Sequence, residues 1–347
     1  MGEIIGCDLY SVTVNTCIYC RADVPDDAPP EHVIPQGFGV FTPDLTLDCV
    51  CKACNHFFGT TLEWPMRNES IEGALRLHFG LKGVVGGIGT KGITPTVAEG
   101  ADWKGARTEI RADKDGKQRT DVLPQIGARR TPSDDFEWVL AHELTAEFAA
   151  RYPKGSDVRI VGGKDEAEND KLVQNLIAVC PTFIYGGTKE PPFNEDGKVM
   201  LHIEHQVNRT VAKCLCKIAF NYMALTCGEK FAISRENNDT REFIRNDAGD
   251  ATGRVFIKHK PIIAQEIITG ERGTEGHVLT VEGRSADRTL EVQLALFNAI
   301  PYRIPITREY IGHQFAQGHH FNLHTGKVEE LTVRYAGPDF DPSKLTW

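Results

Sequence analysis

Apolar residues recur at helical spacing along residues 208–228. The positions that would share one face of a helix are Val211, Leu215, Ile218, Tyr222 and Leu225. This face should pack against a core, because side chains three and four residues apart lie together on a helix. Gly228 follows directly and is a natural C-terminal stop. The pattern therefore predicts a long helix that ends at Gly228.

Basic residues recur every four positions on another face of the same helix, at Arg209, Lys213 and Lys217. Charged stripes of this kind are usually exposed to solvent, since lysine and arginine are rarely buried. The alternative is a row of cations that follows a phosphate backbone. Of the two interpretations, the sequence favours a solvated helix face.

Shorter patterns predict further elements on both sides of this helix. Helices are expected from Cys51 or Cys54 to about Leu62, from about Ser70 to Phe79, over 133–152 with Ser133 as N-cap, and over 165–179. Strands are expected at 107–112 and 118–125 around an Asp115–Gly116 turn, at 199–207, and through most of the last hundred residues. This mixture predicts an α+β fold rather than a regular βαβ sheet.

The run GLKGVVGGIGTKG at residues 80–92 contains too many glycines for a helix or strand interior, which indicates a linker or loop. A chain of 347 residues is long enough for two or three folding units. We therefore expect a first domain over 1–92, a mixed α+β domain over 93–250 and a mostly β region over 251–347. The last two ranges could also form one domain.

The composition is that of a soluble globular protein, with 41% apolar and 25% charged residues. No run of eighteen apolar residues occurs, so no membrane span is expected. The N-terminus has neither the positive start nor the apolar stretch of a secretory signal, which makes the cytoplasm the expected location. A net charge of −9 argues against a general nucleic-acid coat.

The charge is nevertheless uneven along the chain. Residues 1–63 contain two basic and nine acidic residues, whereas the stretch from Arg67 to Arg130 is rich in lysine and arginine. An acidic first segment could hold metals while a basic second segment contacts phosphates. Two solvated surfaces of different composition would give the same pattern, and the sequence does not separate these readings.

Six of the ten cysteines lie before residue 55. Cys17 and Cys20 form one C-x2-C pair, and Cys51 and Cys54 form a second. Four thiolates from two such pairs are well suited to a tetrahedral structural Zn²⁺. A closed site of this kind does no chemistry itself, but it would hold the loop between the two pairs in place. Cys7 and Cys49 do not fit the spacing.

That loop contains Glu31 and His32, and the second cysteine pair ends directly on Asn55. Zinc binding would therefore bring these three residues close together. Carboxylate and amide oxygens are ligands that suit Mg²⁺ or Mn²⁺, with water in the remaining positions. A neutral imidazole beside such an ion can take a proton from an attacking water. Together they are the parts of a one-metal nuclease.

The segments EHVIP (31–35) and CKACN (51–55), set between paired cysteines, resemble the HNH (His-Me finger) endonucleases. The resemblance covers about residues 14–80. It implies a ββα-metal module with a zinc site, followed here by a larger mixed α+β region. By position, His32 would be the general base, Glu31 the acidic metal ligand and Asn55 the metal ligand at the end of the motif.

The chain departs from the family pattern in three places. Glu31 stands where the family often has Asp or His. The middle Asn of the motif has no counterpart near Thr46, so Asp44 or Asp48 would position the loop instead. Glu63, two turns after Asn55, is either a further metal ligand or a solvent-facing residue.

The resemblance implies a metal-dependent endonuclease that hydrolyses phosphodiester bonds, most readily in DNA, with RNA left open. Similar domains often belong to restriction and anti-phage systems. The C-terminal region would supply DNA binding, target selection, homodimer formation or control by a ligand. The alternative is a zinc module without activity that binds nucleic acid or protein, with Glu31 and His32 as structural residues.

Overall fold

The computed structural model describes residues 16–81, 93–100, 102–112, 118–152, 155–162, 166–179, 199–205, 207–246, 249–258, 262 and 275–331. Helices and antiparallel sheets are mixed along the chain, as the α+β prediction requires. Cys7, the Asp115–Gly116 turn and residues 82–92 of the predicted linker lie outside the described residues. Within them, no helix is long and apolar enough to cross a membrane.

The chain divides into two compact units. The first combines Met1–Met66 with Val207–Trp347, and the second is Arg67–Gln206. The predicted ranges 1–92, 93–250 and 251–347 do not coincide with these units. The reason is that the N-terminal segment packs with a helix and a sheet that come more than 140 residues later.

The N-terminal part of the first unit is a short hairpin followed by a long helical segment. Strand β1 (Glu31–His32) pairs antiparallel with β2 (Thr46–Leu47). Helix α1 (Lys52–Phe57) continues through a π-helical turn (Phe58–Glu63) into α2 (Trp64–Glu69). The helix predicted to end near Leu62 thus extends seven residues further, with a change of register in its middle.

The C-terminal part of the first unit is a six-stranded antiparallel sheet, which confirms the predicted β character of this region. Its strands are β10 (Phe256–Ile257), β11 (Gly276–Arg284), β12 (Thr289–Leu296), β13 (Ile300–Thr307), β14 (Phe315–Asn322) and β15 (Val328–Leu331). Their spatial order is β10-β13-β12-β11-β14-β15. The central strand β11 is buried along almost its entire length.

Helix α6 (Arg209–Cys227) lies at the centre of the first unit, with Asn208 as N-cap and Gly228 after its last turn. It packs against strands β11, β12 and β13 and against the π-helical turn. Every residue from Val211 to Ala224 is buried. The predicted solvated stripe is therefore wrong: Lys213 and Lys217 are buried, because α6 is covered on all sides.

Helices α7 (Glu229–Ala232) and α8 (Asn238–Arg245) follow α6 in the first unit. The second unit begins with α3 (Ile71–His78), capped by Ser70 as the predicted helix start requires. The described residues of this unit contain three small sheets. They are the pair β3 (Ile93–Val97) and β9 (Leu201–His205), the pair β4 (Thr108–Ala112) and β5 (Gln118–Val122), and the triplet β7 (Glu137–Leu140), β6 (Gln125–Arg129) and β8 (Asp157–Val161). Helices α4 (Ala146–Ala150) and α5 (Glu166–Val179) contribute apolar residues to the core beside this triplet.

The helix predicted over 133–152 is wrong for most of its length. Residues 137–140 form strand β7, which pairs with β6, and only 146–150 are α-helical. Trp138 stacks on Trp103 with ring centroids 5.9 Å apart, a contact that the strand makes possible. Pairing with β6 and burial of Trp138 thus override the local helical preference.

Candidate functional site

The four cysteines of the two C-x2-C pairs lie together in the first unit. The Sγ atoms of Cys17, Cys20, Cys51 and Cys54 are all within 4.8 Å of one another. A tetrahedral zinc site places its sulphur atoms about 3.8 Å apart. The cluster therefore fits Zn²⁺, as the spacing predicts.

Short local contacts hold the two pairs against each other. The first pair lies in a tight turn in which the Cys17 N–H donates to the Ala22 carbonyl at 2.7 Å. Cys51 caps helix α1 and Cys54 lies in its first turn. The Ile18 N–H donates to the Cys49 carbonyl at 2.9 Å, which joins the turn to the start of the helix. Cys49 itself is buried outside the four-cysteine group.

Two thiols of the cluster differ in how strongly they hold their protons. A hydrogen bond from Cys54 lowers the pKa of Cys17 to about 4. The same hydrogen bond and burial raise the pKa of Cys54 well above its usual range. One sulphur thus has thiolate character and another retains its proton. A zinc ion would displace the remaining protons on binding, since it binds thiolates.

His32 lies on β1 beside an acidic side chain from the loop before β2. His32 Nδ1 and Asp44 Oδ2 are 2.9 Å apart, and the two side chains are 24% and 40% exposed. This is the distance of an ion pair, although the alignment is not that of a hydrogen bond. Of the two aspartates proposed to position the loop, both are exposed, and Asp44 is the one that contacts the histidine.

Glu31, the other residue of β1, is buried against helix α6. Successive side chains of a strand leave opposite faces, which explains why Glu31 is 3% exposed while its neighbour reaches solvent. The Glu31 carboxylate forms an ion pair with Lys217 and accepts a hydrogen bond from Asn221 Nδ2 at 3.1 Å. Glu31 therefore faces a cation supplied by the protein itself.

Lys217 is shared between two carboxylates. Its Nζ also lies 2.8 Å from Glu63 Oε1 at the end of the π-helical turn. Burial alone would lower the pKa of Lys217, but the charges of Glu31 and Glu63 outweigh it and raise this pKa above its usual value. The lysine consequently stays protonated. Glu63 is neither a plain solvent-facing residue nor an open metal ligand in this arrangement.

Helix α6 also donates hydrogen bonds to the backbone of β1. Asn221 Nδ2 and Lys217 Nζ lie 3.2 and 3.4 Å from the His32 carbonyl oxygen. The Tyr19 hydroxyl, from the first cysteine turn, donates to Asn221 Oδ1 at 2.5 Å. We call Lys217 and Asn221 the α6 clamp. It connects the strand that carries His32 to the cysteine cluster.

Asn55 lies near the start of the same strand. Its side-chain Nδ2 donates to the Pro30 carbonyl, one residue before β1, at 3.5 Å. Asn55 is half-buried in helix α1 and directly follows Cys54 of the cluster. The structure thus brings Asn55, Glu31 and His32 to one hairpin, with Glu63 on the side of α6.

The residues present fit the two proposed metals differently. Four clustered thiols fit Zn²⁺. A catalytic Mg²⁺ or Mn²⁺ at Glu31 does not fit this arrangement, because the carboxylate is buried and pairs with an ammonium group. A divalent ion there would meet a like charge in a region of low dielectric constant.

No protein-family model, no curated protein and no solved structure matches this chain. The likeness to HNH endonucleases therefore rests on the residues of the motif alone.

Sequence reasoning missed Lys217, Asn221 and Tyr19. One signal was present: residues 211–224 are apolar or small around most of the helix, and such helices are buried. A lysine and an asparagine four residues apart within that stretch predict a buried polar contact. The partner of that contact could not be identified, because it lies about 190 residues away in the sequence.

Proposed function

We propose that this protein is an HNH endonuclease that hydrolyses phosphodiester bonds in DNA, with His32 as the general base. The observation that carries the proposal is the partly exposed imidazole of His32 beside Asp44, on a hairpin adjoining a four-cysteine cluster. The zinc that this cluster would bind is structural, since four sulphur ligands leave no open position.

In the proposed mechanism the two ring nitrogens of His32 have separate roles. Nδ1 faces Asp44, so Nε2 is the nitrogen that accepts a proton from water. The resulting hydroxide attacks phosphorus, the bond from phosphorus to the leaving oxygen breaks, and this oxygen takes a proton from solvent water. Asp44 stabilises the imidazolium that forms during this step, because its negative charge lies beside Nδ1.

Mg²⁺ or Mn²⁺ remains part of the proposal as the cofactor that would stabilise charge on the phosphate. Asn55 is the ligand proposed for it. Glu31 and Glu63 are not proposed as ligands, because both carboxylates contact Lys217. A role in restriction or anti-phage defence, and a homodimer, are implied by the family resemblance alone.

The second candidate is a zinc module without activity that binds nucleic acid or protein. The ion pair of Glu31 with Lys217 favours this candidate, because it gives the conspicuous acidic residue of the motif a structural role. The two candidates differ in whether the protein cleaves nucleic acid, and cleavage by the first candidate requires His32.

A cleavage assay separates them. Supercoiled plasmid, single-stranded DNA and RNA are each incubated with the full chain in Mg²⁺, Mn²⁺ or EDTA. We expect cleavage of DNA that EDTA abolishes, and His32→Ala should slow it by about 10²–10⁴-fold, since this is the usual contribution of a general base. Asp44→Asn should cause a smaller loss.

The matched control is His56→Ala, an exposed histidine on helix α1. It should cut like the wild type. Zinc content and melting temperature of all variants show whether the fold is intact. If the wild type cuts none of the substrates, the module without activity is the correct interpretation. If the wild type cuts and His32→Ala cuts equally well, His32 is not the general base.

A further inference from the structure

A fully buried ammonium group lies between two carboxylates beside the strand of His32. Lys217 Nζ contacts Glu31 and lies 2.8 Å from Glu63, and the Lys217 side chain has no exposed surface. A buried charge is strongly unfavourable unless an opposite charge and hydrogen bonds compensate it. The two carboxylates therefore compensate the charge of Lys217 whether or not a metal binds nearby.

The carboxylate of Glu31 is also badly placed for a hydrated ion. Its Oε1 accepts from Asn221 and contacts Lys217, and the residue is 3% exposed. Mg²⁺ usually keeps several of its waters when it binds to a protein. Glu31 could become a ligand only if Lys217 left, which would remove the cation that Glu31 and Glu63 share.

The same clamp fixes the backbone of the histidine. Both Asn221 and Lys217 donate to the His32 carbonyl, and Asn221 is held in turn by the Tyr19 hydroxyl. Because a strand of two residues has few ladder hydrogen bonds, these contacts supply much of what holds β1 in place.

We propose that Glu31 is the buried counter-ion of Lys217 rather than a metal ligand, and that the α6 clamp positions the strand that carries His32. Lys217 and Asn221 are positioning residues, since they touch the backbone of His32 and not the substrate. The catalytic part of this inference rests on the proposed nuclease function, whereas the counter-ion part does not.

The counter-ion assignment is tested by pairwise substitution in the full chain. Glu31→Gln and Lys217→Met should each lower the melting temperature by about 5–10 °C, because each leaves a buried charge of the pair behind. The double variant should melt well above the value expected from adding the two losses. If the two losses of melting temperature simply add in the double variant, the assignment of Glu31 as the counter-ion of Lys217 is wrong.

Binding of Mn²⁺ gives the second readout, measured by calorimetry at a temperature well below unfolding. We expect Glu31→Gln to bind Mn²⁺ within about twofold of the wild type, whereas Asn55→Ala binds at least tenfold more weakly. A tenfold loss of Mn²⁺ affinity in Glu31→Gln would show that Glu31 is a ligand and would overturn the proposal. If the wild type binds no Mn²⁺, Glu31 is not a ligand, and the part of the proposed function that requires a divalent metal is refuted instead.

The positioning role is tested with Asn221→Leu, which keeps the number and branching of side-chain heavy atoms and removes the hydrogen bonds. Amide hydrogen exchange of the peptide around residues 29–35 should become at least tenfold faster. The control is Val211→Ala, buried on the same helix but about 15 Å from Asn221 along its axis. It lowers stability without touching β1, so exchange there should stay near the wild-type rate. Equal exchange in both variants would overturn the positioning role.

If the wild type cleaves DNA, kinetics add a further check. Asn221→Leu should lower kcat with little change in KM, since a displaced base slows chemistry without weakening DNA binding. An unchanged kcat would contradict the positioning of His32. Absence of cleavage in the wild type would refute the nuclease proposal alone, because exchange and melting do not depend on activity.

Discussion

Two clusters of polar side chains hold distant segments of the first unit together. One is the four-cysteine cluster, and the other is Lys217 with Glu31 and Glu63. They do so through different chemistry. The thiols can release their protons to a metal and form strong bonds to it. The ammonium group already carries its charge and relies on Glu31 and Glu63 for compensation. The first cluster should therefore respond to chelators, and the second should not.

Replacing one cysteine of the cluster should abolish zinc binding. Cys51→Ser leaves three thiols, so we expect the zinc content to fall from about one ion per chain to a small fraction, with a lower melting temperature. Metal content by mass spectrometry and thermal unfolding measure the two effects. Cys227→Ser, outside the cluster, is the control and should keep its zinc. Full zinc content in Cys51→Ser would show that the cluster is not a zinc site.

Helix α6 determines much of the arrangement of the first unit. It is buried from Val211 to Ala224, and it contacts the sheet on one side and the π-helical turn on another. The turn changes the register of the helix that begins at Lys52, which places Phe58 and Leu62 inside and brings Glu63 to Lys217. A helix predicted to have one face against a core and another in solvent thus provides the contacts around which the candidate site is built.

The N-cap of α6 gives a test at this scale. The Asn208 side chain accepts from the Val211 N–H at 2.9 Å. Asn208→Ala removes this acceptor and should lower the free energy of unfolding by about 1 kcal/mol. Asn208→Ser keeps a capping oxygen and should lose much less. Urea denaturation measures both variants, and equal stabilities would show that the cap does not contribute.

At the scale of the whole chain, segments far apart in the sequence contact each other in the first unit. The His277 ring donates from Nε2 to the Phe38 carbonyl at 2.8 Å and accepts at Nδ1 from the Phe297 N–H at 3.0 Å. Phe41 and Phe321 pack edge-to-face beside this ring. These contacts join the N-terminal segment to the C-terminal sheet, and they require a neutral imidazole.

Stability should therefore fall on mild acidification. Burial lowers the pKa of His277 from 6.5 to about 4, and the hydrogen bond to Phe38 offsets only part of this. Between these values the unfolded chain binds a proton that the folded chain resists. Stability from His277 is thus fully present above pH 6.5 and lost toward pH 4, by about 3 kcal/mol.

The measurement is the melting temperature of wild type and His277→Gln from pH 7 to pH 4. The melting temperature of His277→Gln should be lower than that of the wild type at pH 7 and should fall less steeply toward pH 4, because the variant lacks the titrating ring. His313→Gln, an exposed histidine, is the control and should follow the wild type. Identical slopes for His277→Gln and wild type would show that another group causes the acid sensitivity.

The sequence by itself determined the features that depend on neighbouring residues. The spacing of Cys17, Cys20, Cys51 and Cys54 was enough to predict the cluster, because four thiols in two short turns can reach one point. Gly228 marked the end of α6 for a local reason as well, since a positive φ there suits glycine. The segments of the last hundred residues likewise predicted strands before any partner strand was known.

Tertiary structure alone decided which residues became neighbours across long stretches of sequence. Residues 137–140 became a strand because β6 lies alongside them, and Lys217 became a buried ion because Glu31 and Glu63 reach it. Local propensity amounts to a fraction of a kcal/mol per residue, whereas pairing and burial of a whole segment contribute several times more. For that reason the motif could be read from the sequence, but the role of Glu31 within it could not.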